Sequence, residues 1–466
     1  MDNHVQAAEQ GSAENVRPLA LPTTRPLDLS LTRNFVWTLG GNVIYTGCQW
    51  AVVVLLAKLS SVEIVGEYAL AVAVAVPLAF LGDFRLRILF VTDTADKYPF
   101  REMLGLRFIL SCLSLVVIMA TCGIVGYGRS TALITLMLGS AYIVDSISDT
   151  YYGRFQRNER MDRIATSLIL RSVLSAIAFT VALYFTHKLL LGVCSLTFAR
   201  GSILFLYDAR VGAQHLNVAT RSSPLRPTCI DGFRPSWNVR RQLQMLWVAF
   251  PLAIVSVLIS INGYVPRYLL ELFVGRREVG IYSAINYIPS GCFLVVNALG
   301  YAVFARLSKL FASGDLGGFK FLLAKIAAVY GAIGAGGSLL SFVAGRQVLT
   351  FIYRPEYAQR VDLLRWLMMV GVVNCLTTAM QSGLTAASRF RVQVPLFAGV
   401  TAISLLGSAI LIPRMGLVGA ALAALISSVV QLCASSALVF STMVKRAREL
   451  RNTDYPQFKP VLEVPQ

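Results

Sequence analysis

Charged residues are scarce in this chain. They make up 14% of its 466 residues, whereas a soluble domain has about 25%. Hydrophobic residues make up 56%, and apolar runs of about 20 residues recur, each long enough to cross about 30 Å of hydrocarbon as a helix. This composition argues against a soluble domain and predicts an all-α polytopic membrane protein.

Residues and motifs that commonly carry catalysis are also few. The three histidines, His4, His187 and His215, show no metal-ligand spacing, and the eight cysteines include no CxxC pair. The nucleotide-binding pattern GxxxxGK[ST] is absent. No loop on the predicted outer side is long enough to hold a catalytic domain. We therefore expect a protein that is not an enzyme and has no catalytic residue, metal or cofactor.

Hydropathy and length predict about twelve transmembrane helices, six on each side of a basic connector. We expect two lobes, residues 31–213 and residues 243–444, joined by a cytoplasmic connector at 214–242. Residues 1–30 are predicted to be a disordered cytoplasmic tail, and residues 445–466 a basic cytoplasmic tail. The estimated helix bounds are 34–58, 64–88, 104–126, 131–153, 164–186, 189–213, 243–271, 279–305, 321–344, 362–386, 394–412 and 416–443.

One stretch of sequence occurs twice. Residues 55–72, LLAKLSSVEIVGEYALAV, align with residues of the second half when they are shifted by 214 positions. The alternative is chance similarity between apolar segments. The matches fall at corresponding points of the helix order and predict a parallel repeat of six helices. The matched pairs are Leu56 with Leu270, Gly66 with Gly280, and Tyr68 with Tyr282.

The distribution of basic residues predicts the orientation. Loops assigned to one side carry 27 lysines and arginines, and loops assigned to the other side carry ten. Because basic residues collect in cytoplasmic loops, both termini are predicted to be cytoplasmic. The net charge of +18 has the same explanation, so we expect no nucleic-acid partner. Arg85, Arg87 and Arg107 fall in or beside the loop after the second predicted helix, and we interpret them as mainly topological.

Polar residues lie at helical spacing on two predicted helices, and polar groups in hydrocarbon normally face a partner or an aqueous cavity. The first helix carries Asn34, Thr38, Asn42, Tyr45 and Gln49, and the seventh carries Ser256, Ser260, Gly263, Arg267 and Glu271. Two alternatives stay open, namely helix–helix hydrogen bonding and pairing of Arg267 with Glu271 at i,i+4. With the eighth and tenth helices, the candidates for lining a substrate cavity are Asn42, Gln49, Ser256, Ser260, Arg267, Asn286 and Asn374.

Asp145 and Asp149 lie on one face of the fourth predicted helix, and Arg171 lies on the fifth. Asp145 and Arg171 are each eight residues from the inner end of their helix, which puts both about 12 Å deep at about 1.5 Å per residue. We predict an ion pair between them across adjacent antiparallel helices. The pair fixes the helix register or takes part in coupling to a proton or cation. Asp149 is a further coupling candidate, and Arg171 is also a candidate for lining the cavity.

Several stretches resemble a known family when they are taken in order along the chain. The resemblance covers nearly the whole transmembrane region, and it is to the oligosaccharide-lipid flippases, including O-antigen flippases. These belong to the polysaccharide-transporter branch of the multidrug/oligosaccharidyl-lipid/polysaccharide exporter superfamily. The resembling stretches are GNVIYTGCQWAVVVLLAKLSSVEIVGEYALAVAVAVP from Gly41, QRNERMDRIATSLILRS from Gln156, VPRYLLELFVGRREVGIYSAINY from Val265, FIYRPEYAQ from Phe351 and PRMGLVGAALAALISS from Pro413.

The resemblance implies two six-helix lobes that form a V around a central cavity, lined by the first and seventh helices. It implies transport of undecaprenyl-pyrophosphate-linked oligosaccharide units across the bacterial inner membrane by alternating access, for O-antigen, capsule or exopolysaccharide. Arg171 and Arg267 are candidates to contact the pyrophosphate, because arginine matches phosphate in bidentate geometry. The implied partners are that lipid-linked oligosaccharide, membrane lipids, a polysaccharide polymerase and a chain-length regulator.

Three other functions remain open at the level of sequence. A flippase for the peptidoglycan precursor or a cation-coupled drug antiporter would share this fold. An antiporter would favour acidic groups deep in one lobe, such as Asp145 and Asp149. A polymerase-type membrane enzyme acting on the same sugar lipids is the alternative of another class, and it would need a large outer loop with catalytic groups.

Overall fold

The computed structural model describes residues 31–93, 97–212, 235–387 and 393–453. These residues form helices, and none of the described residues is in a strand. Helix α7 continues into a π-helical turn, Leu204–Asp208. The helices are α1 Leu31–Leu59, α2 Val62–Asp83, α3 Leu86–Thr92, α4 Phe100–Val125, α5 Arg129–Arg157, α6 Met161–Thr186, α7 Leu189–Ile203, α8 Val239–Phe273, α9 Arg276–Ala312, α10 Leu316–Ile352, α11 Pro355–Ala358, α12 Val361–Ala386 and α13 Gln393–Thr453.

Ten helical stretches within the described residues are long and apolar enough to cross a membrane. The last of them, Val394–Arg448, is 55 residues long, far more than the roughly 20 that one crossing needs. Gly416 interrupts it with a left-handed backbone, φ 55° and ψ −127°, so α13 consists of two helical segments. The chain is therefore a multi-pass membrane protein, while the count of twelve helices stays a prediction.

Capping residues set several of these helix ends. Ser61 accepts a hydrogen bond from the N–H of Ile64 at the start of α2, and Asp315 accepts one from Gly318 at the start of α10. Gly126, with φ 75°, ends α4 in the left-handed conformation that glycine tolerates best. Short polar turns thus separate long apolar helices, as hydropathy predicts.

The structure corrects the predicted bounds of the second and last helices. Helix α2 ends at Asp83 rather than at 88, because Phe84 (φ 45°) and Arg85 (φ 49°) are both left-handed. Helix α13 continues to Thr453, so the predicted tail at 445–466 begins inside a helix. The predicted tail at 1–30 and most of the connector at 214–242 lie outside the described residues.

The helices pack in two groups. In the first half, α1–α7, helix α1 packs on α6, α6 packs on α7, and α5 contacts α2, α4 and α7. In the second half, α8–α13, helix α12 contacts α9, α10 and α13, and α8 packs on α13. The two halves meet mainly where α2 of the first half contacts α8 and α9 of the second.

Gly66 of α2 and Gly280 of α9, which the sequence repeat makes equivalent, lie against each other. A Cβ atom at Gly66 would overlap the carbonyl oxygen of Arg276, and one at Gly280 would overlap the carbonyl oxygen of Val62. Val62 and Arg276 are themselves 214 positions apart. The contact is therefore reciprocal, as expected where two similar units meet across a two-fold axis.

The bundle has two ends, which we name from the predicted orientation. The outer end carries the α1–α2 and α8–α9 turns, where Arg276 lies beside Gly66 and Val62 lies beside Gly280. The inner end carries the α3–α4 and α5–α6 turns and the start of α8, where the N–H of Ser236 donates to the carbonyl of Arg101 at 3.0 Å.

Candidate functional site

A cavity of about 660 Å³ lies inside the first half, within the range of about 300–1,000 Å³ that is usual for ligand sites. Residues of α1, α2, α5 and α6 line it, together with the break between α2 and α3. Its polar lining includes Asn42, Tyr45, Asp83, Arg85, Arg87, Tyr142, Asp145, Ser146, Asp149, Tyr152, Gln156 and Arg171.

Asp145 of α5 lies between two arginines. Its Oδ1 is 3.2 Å from an Nη of Arg171 on α6, and its Oδ2 is 2.6 Å from an Nη of Arg200 on α7. The predicted ion pair of Asp145 with Arg171 is therefore present. Sequence reasoning missed Arg200, although an arginine inside an apolar run is a signal for a buried partner. The Arg171 guanidinium also lies over the rings of Tyr45 and Tyr152.

Asp149 lies one turn along α5 and pairs with a different arginine. An Nη of Arg87 is 2.8 Å from Asp149 Oδ1, and Arg87 Nε donates to Gln156 at 2.9 Å. Arg87 therefore reaches back from α3 to α5 and lines the cavity. The topological interpretation of Arg87 did not include these partners, which it reaches because the left-handed break before α3 turns this segment toward α5.

Arg107 is a second residue whose partners the topological interpretation did not include. Arg107 belongs to α4, and its side chain has no exposed surface. One Nη is 2.9 Å from Asp83 Oδ1 and 2.7 Å from the hydroxyl of Ser146, while Nε donates to Thr150 at 3.0 Å. The same Nη also donates to the carbonyl oxygen of Asp83 at 2.7 Å. Arg107 thus joins α4 to the end of α2 and to α5.

Arg85 lies at the break itself and reaches the second half. Its Nε donates to the hydroxyl of Ser256 on α8 at 2.8 Å. Among the described residues, Arg87 and Arg171 contact carboxylates, whereas the contact found for Arg85 is this neutral hydroxyl. Of the three arginines that line the cavity, Arg85 is the one for which the described residues show no ion pair with an acidic side chain.

Arg267 occupies a separate place in the second half. It is buried, its Nε donates to the hydroxyl of Ser283 at 2.9 Å, and it lies 4.8 Å from the ring centroid of Tyr264. The structure does not bring Arg267 into the cavity that holds Arg171. The suggested pair of Arg267 with Glu271 is wrong, because Glu271 pairs with Arg276 at 3.5 Å instead.

The other predicted lining residues divide into two groups. Asn42 lines the cavity, and its amide donates to the carbonyl oxygen of Thr38 at 2.7 Å. Gln49 donates to Tyr45 at 3.0 Å, beside Arg171 and Arg200. Ser256 reaches the cavity through Arg85, and Ser260 is buried one turn further along α8. Five of these candidates lie outside the cavity lining described above: Gln49, Ser256, Ser260, Asn286 and Asn374.

Asp208 is a further acid that sequence reasoning did not single out. It is fully buried at the end of the π-helical turn after α7, beside Ser148 and Ser167 and in the field of Arg171. A π-helical turn inside an α-helix often accompanies a functional site. The signal in the sequence was an aspartate within an apolar run, as for Asp145.

Contacts between the two halves close the outer end. Lys58 Nζ donates to the carbonyl oxygen of Phe351 at 3.1 Å, and Arg354 donates to the carbonyl oxygen of Lys58 at 2.7 Å. Arg277 lies 3.5 Å from Glu63 and 3.7 Å from Glu356. The cavity, in contrast, extends to Arg87 and Gln156 near the inner end.

Comparisons with known proteins agree with this architecture. A family model described as "Polysaccharide biosynthesis protein" matches residues 31–311. The chain is 23% identical over 403 residues to the capsular polysaccharide biosynthesis protein CapF of Staphylococcus aureus, across 86% of this chain and 97% of that protein.

Solved transporter structures share the fold. An inward-facing multidrug resistance MATE family transporter of the MOP superfamily has a TM-score of 0.60 at 13% identity, across 91% of this chain and 97% of that one. An outward-facing MATE transporter also scores 0.60, at 12% identity, across 89% and 96% of the two chains. At these identities the likeness shows the fold alone.

Proposed function

Because the chain belongs to the polysaccharide biosynthesis protein family and has the fold of MOP transporters, we propose that it moves a lipid-linked oligosaccharide from one membrane leaflet to the other. The substrate is an undecaprenyl-pyrophosphate-linked repeat unit for a surface polysaccharide. Its head, the sugar and pyrophosphate, passes through the polar cavity of the first half. The relative CapF is described as a capsular polysaccharide biosynthesis protein, which favours a capsule-type polymer.

The observation that carries this proposal is the environment of Arg85. It lines the cavity and contacts a hydroxyl, whereas the neighbouring Arg87 and Arg171 contact carboxylates. A phosphate is a stronger partner for a guanidinium than a serine hydroxyl, because it is charged and accepts two parallel hydrogen bonds. The pyrophosphate would therefore displace Ser256 from Arg85. This assignment replaces the expectation that Arg171 and Arg267 together contact the pyrophosphate.

Transport would proceed by alternating access. The outer-end contacts of Lys58 and Arg277 hold the two halves together on that side, while the cavity reaches the inner end. The arrangement supports a state that receives substrate from the inner leaflet. In this proposal the protein lies in the bacterial inner membrane with both termini cytoplasmic. It would deliver its cargo to a polysaccharide polymerase and a chain-length regulator.

The same fold in multidrug transporters raises the cation-coupled drug antiporter as a second function. The cavity disfavours it. Its three acids, Asp83, Asp145 and Asp149, each pair with an arginine, so their charge is already balanced. A cationic drug needs a carboxylate that is not engaged in this way. A peptidoglycan precursor, in contrast, carries the same pyrophosphate, and only a transport assay separates it from a polysaccharide unit.

The test is a leaflet-resolved assay of radiolabelled sugar lipids in a strain that lacks the gene. We expect undecaprenyl-linked repeat units to accumulate on the inner leaflet and surface polymer to disappear. Repeat units that reach the periplasm without being polymerised would overturn the proposal in favour of a later step. Unchanged polymer with loss of peptidoglycan precursor outside would favour the other flippase.

Complementation with variants then tests the site. Arg85→Ala should lower the rate of transfer about 10-fold to 100-fold, because a hydrogen bond to a charged group is worth about 1.5–3 kcal/mol. Arg85→Lys keeps the charge but loses the bidentate geometry, so its rate of transfer should lie between those of the wild type and Arg85→Ala. Arg306→Ala is the matched control, since Arg306 is an exposed arginine near the inner end of α9, and its rate should not change.

A further inference from the structure

Helix α2 separates two cavities of opposite character. The polar cavity contacts Val76, Ala79, Phe80 and Asp83 of α2, and a second cavity contacts Val74, Pro77, Leu78 and Leu81. Each set has the spacing i, i+3, i+4, i+7 of one helix face, and the sets are offset by two residues. At about 100° per residue the two faces point in opposite directions.

The second cavity is an apolar groove of about 770 Å³ between α2, α4 and α8. Its walls include Val257, Ile261 and Leu269 of α8. At its rim Leu272 is 71% exposed and Val125 is 55% exposed, so the groove opens sideways on a face of the bundle that lipid surrounds. We name it the α2 groove.

The outer end of the α2 groove is polar. Tyr127 donates to Glu271 at 3.4 Å, and Glu271 pairs with Arg276 at 3.5 Å. Burial, and secondly the charge of Glu271, raise the pKa of Tyr127 to about 12, so Tyr127 keeps its proton and remains the donor. Below this cluster, the Tyr268 hydroxyl donates to the carbonyl oxygen of Ala73 and ties α8 to α2. The groove therefore ends at the outer cluster and continues toward the inner end.

The inner end of the groove, at Leu81 and Val257, lies close to the break in α2. There Phe84 of the first half contacts Phe250 of α8, with ring centroids 6.5 Å apart, and Arg85 donates to Ser256. Both Phe84 and Arg85 are left-handed, a conformation that is strained in a residue with a Cβ. Such strain tends to persist at functional sites. These two contacts join the break to α8, beside Leu81 and Val257 of the α2 groove and at the edge of the polar cavity that Arg85 lines.

We infer that the α2 groove holds the hydrocarbon tail of the lipid whose head occupies the polar cavity, with the lipid bent around the inner end of α2 at Phe84 and Arg85. This inference rests on the proposed function and goes beyond it, because the tail is then bound by the protein rather than left in bulk lipid. Arg85 holds the pyrophosphate at the bend, and displacement of Ser256 opens the way between Phe84 and Phe250.

The occupant follows from the chemistry on the two faces of α2. One face offers an arginine whose contact is neutral, and the other offers an apolar trough one helix width away, about 10 Å. A molecule that satisfies both needs an anionic head and one long, flexible hydrocarbon chain. Because the tail comes from lipid rather than from water, the groove contributes shape complementarity and a fixed orientation of the tail. That orientation fixes the direction of the head.

The test uses the full-length protein in lipid nanodiscs made of phosphatidylglycerol and phosphatidylethanolamine. The photoprobe is a polyprenyl diphosphate with a diazirine in the tail, and labelled residues are mapped by mass spectrometry. We expect label on Leu78, Leu81, Val257 and Ile261, and at least a fivefold loss of label when unlabelled polyprenyl diphosphate competes. Labelling that is confined to other lipid-facing helices would overturn the inference, as would equal, uncompeted labelling by a diacyl phospholipid probe.

Variants sharpen the result. Leu78→Trp fills the groove and should lower competed labelling of α8 at least fivefold, whereas Ile177→Trp on the exposed face of α6 should leave it unchanged. Competition on the unsubstituted protein gives an answer even when Leu78→Trp does not fold. If the leaflet assay shows transport but the groove is not labelled, this inference is wrong and the proposed function stands. If the leaflet assay shows no accumulation of repeat units in the deletion strain, the proposed function is wrong, whatever the labelling shows.

Discussion

Arg107 and Asp83 form an ion pair that joins the interior of α4 to the last residue of α2. The pair is 2.9 Å long, and the Arg107 side chain has no exposed surface. Asp83 also lines the polar cavity. The pair therefore fixes the point at which α2 stops and the left-handed residues begin, and it places one cavity wall.

Arg107→Leu should destabilise the protein by up to about 3–5 kcal/mol, because it leaves Asp83, which is 16% exposed, without its charged partner. Thermal unfolding of the purified protein in detergent measures the change. Arg107→Lys should lie between this variant and the wild type, since lysine keeps the charge and loses the planar fork. Arg101→Leu, at an exposed position of the same helix, is the control and should unfold at the wild-type temperature. An Arg107→Leu protein of unchanged stability would contradict a structural role for the pair.

Asp145→Asn should destabilise by a similar amount, because two buried guanidinium groups then share no carboxylate. The neighbouring Arg200 changes the choice of compensating variant. Asp145→Asn with Arg171→Gln still leaves one buried charge, so full recovery should need Arg200→Gln as well. Unfolding temperature and leaflet transfer are measured together on each variant. If Asp145→Asn folds normally but does not transport, the acid has a coupling role rather than a structural one.

Gly280→Ala should lower stability by about 1–3 kcal/mol, the usual range for overpacking, because the added Cβ overlaps the backbone of α2. Gly66→Ala should do the same through α9. Gly47→Ala is the matched control in α1, since nothing lies within 4 Å of its Cβ. That control should gain about 0.5–1 kcal/mol from reduced backbone entropy. If Gly47→Ala and Gly280→Ala change the free energy of unfolding in the same direction, the close contact at Gly280 is contradicted.

Glu63→Arg should weaken the closure of the outer end, because it faces Arg277. The pair is exposed and worth about 0.2–1 kcal/mol, so the shift in population should be at most about fivefold. The measurement is maleimide labelling of Ser146→Cys from the outer side, in a background without native cysteines. The exchange Glu63→Arg with Arg277→Glu should restore the original rate in part, because the new carboxylate at position 277 pairs with position 63 but faces Glu356. If the exchange variant labels as fast as the single variant, the charge pair does not hold the outer end closed.

Much of the fold follows from the sequence because each long apolar run must satisfy its own backbone as a helix in lipid. The 214-residue shift even identified the two glycines that meet at the interface between the halves. The break at Phe84 and Arg85 was not predicted. Neither residue favours a left-handed backbone, and tertiary contacts such as Arg107 with Asp83 impose it.

The site was predicted in part. Helix depth placed Asp145 opposite Arg171 correctly. The depth of both residues can be counted from the inner end, because their two helices are antiparallel neighbours that begin and end there. The contacts of Arg85 and Arg87 were not predicted, because a charge count treats every basic residue near a helix end alike. Arg267 looked equivalent to Arg171 by charge alone. Its partner Ser283 lies on the next helix, and nothing in the sequence indicates that contact.

The glycine contact gives the molecule a fulcrum. Gly66 and Gly280 touch near the outer end, and α2 runs 17 residues from Gly66 to Asp83, a lever arm of about 25 Å at about 1.5 Å per residue. Were the two halves to rock about this point by about 15°, as in known rigid-body switches, the far tip of α2 would swing about 6–7 Å. That travel exceeds the reach of the Arg85–Ser256 hydrogen bond. A small rotation at the outer end would therefore produce a larger displacement at the inner end of α2. There the head and the tail of a bound lipid would lie on opposite sides of this helix.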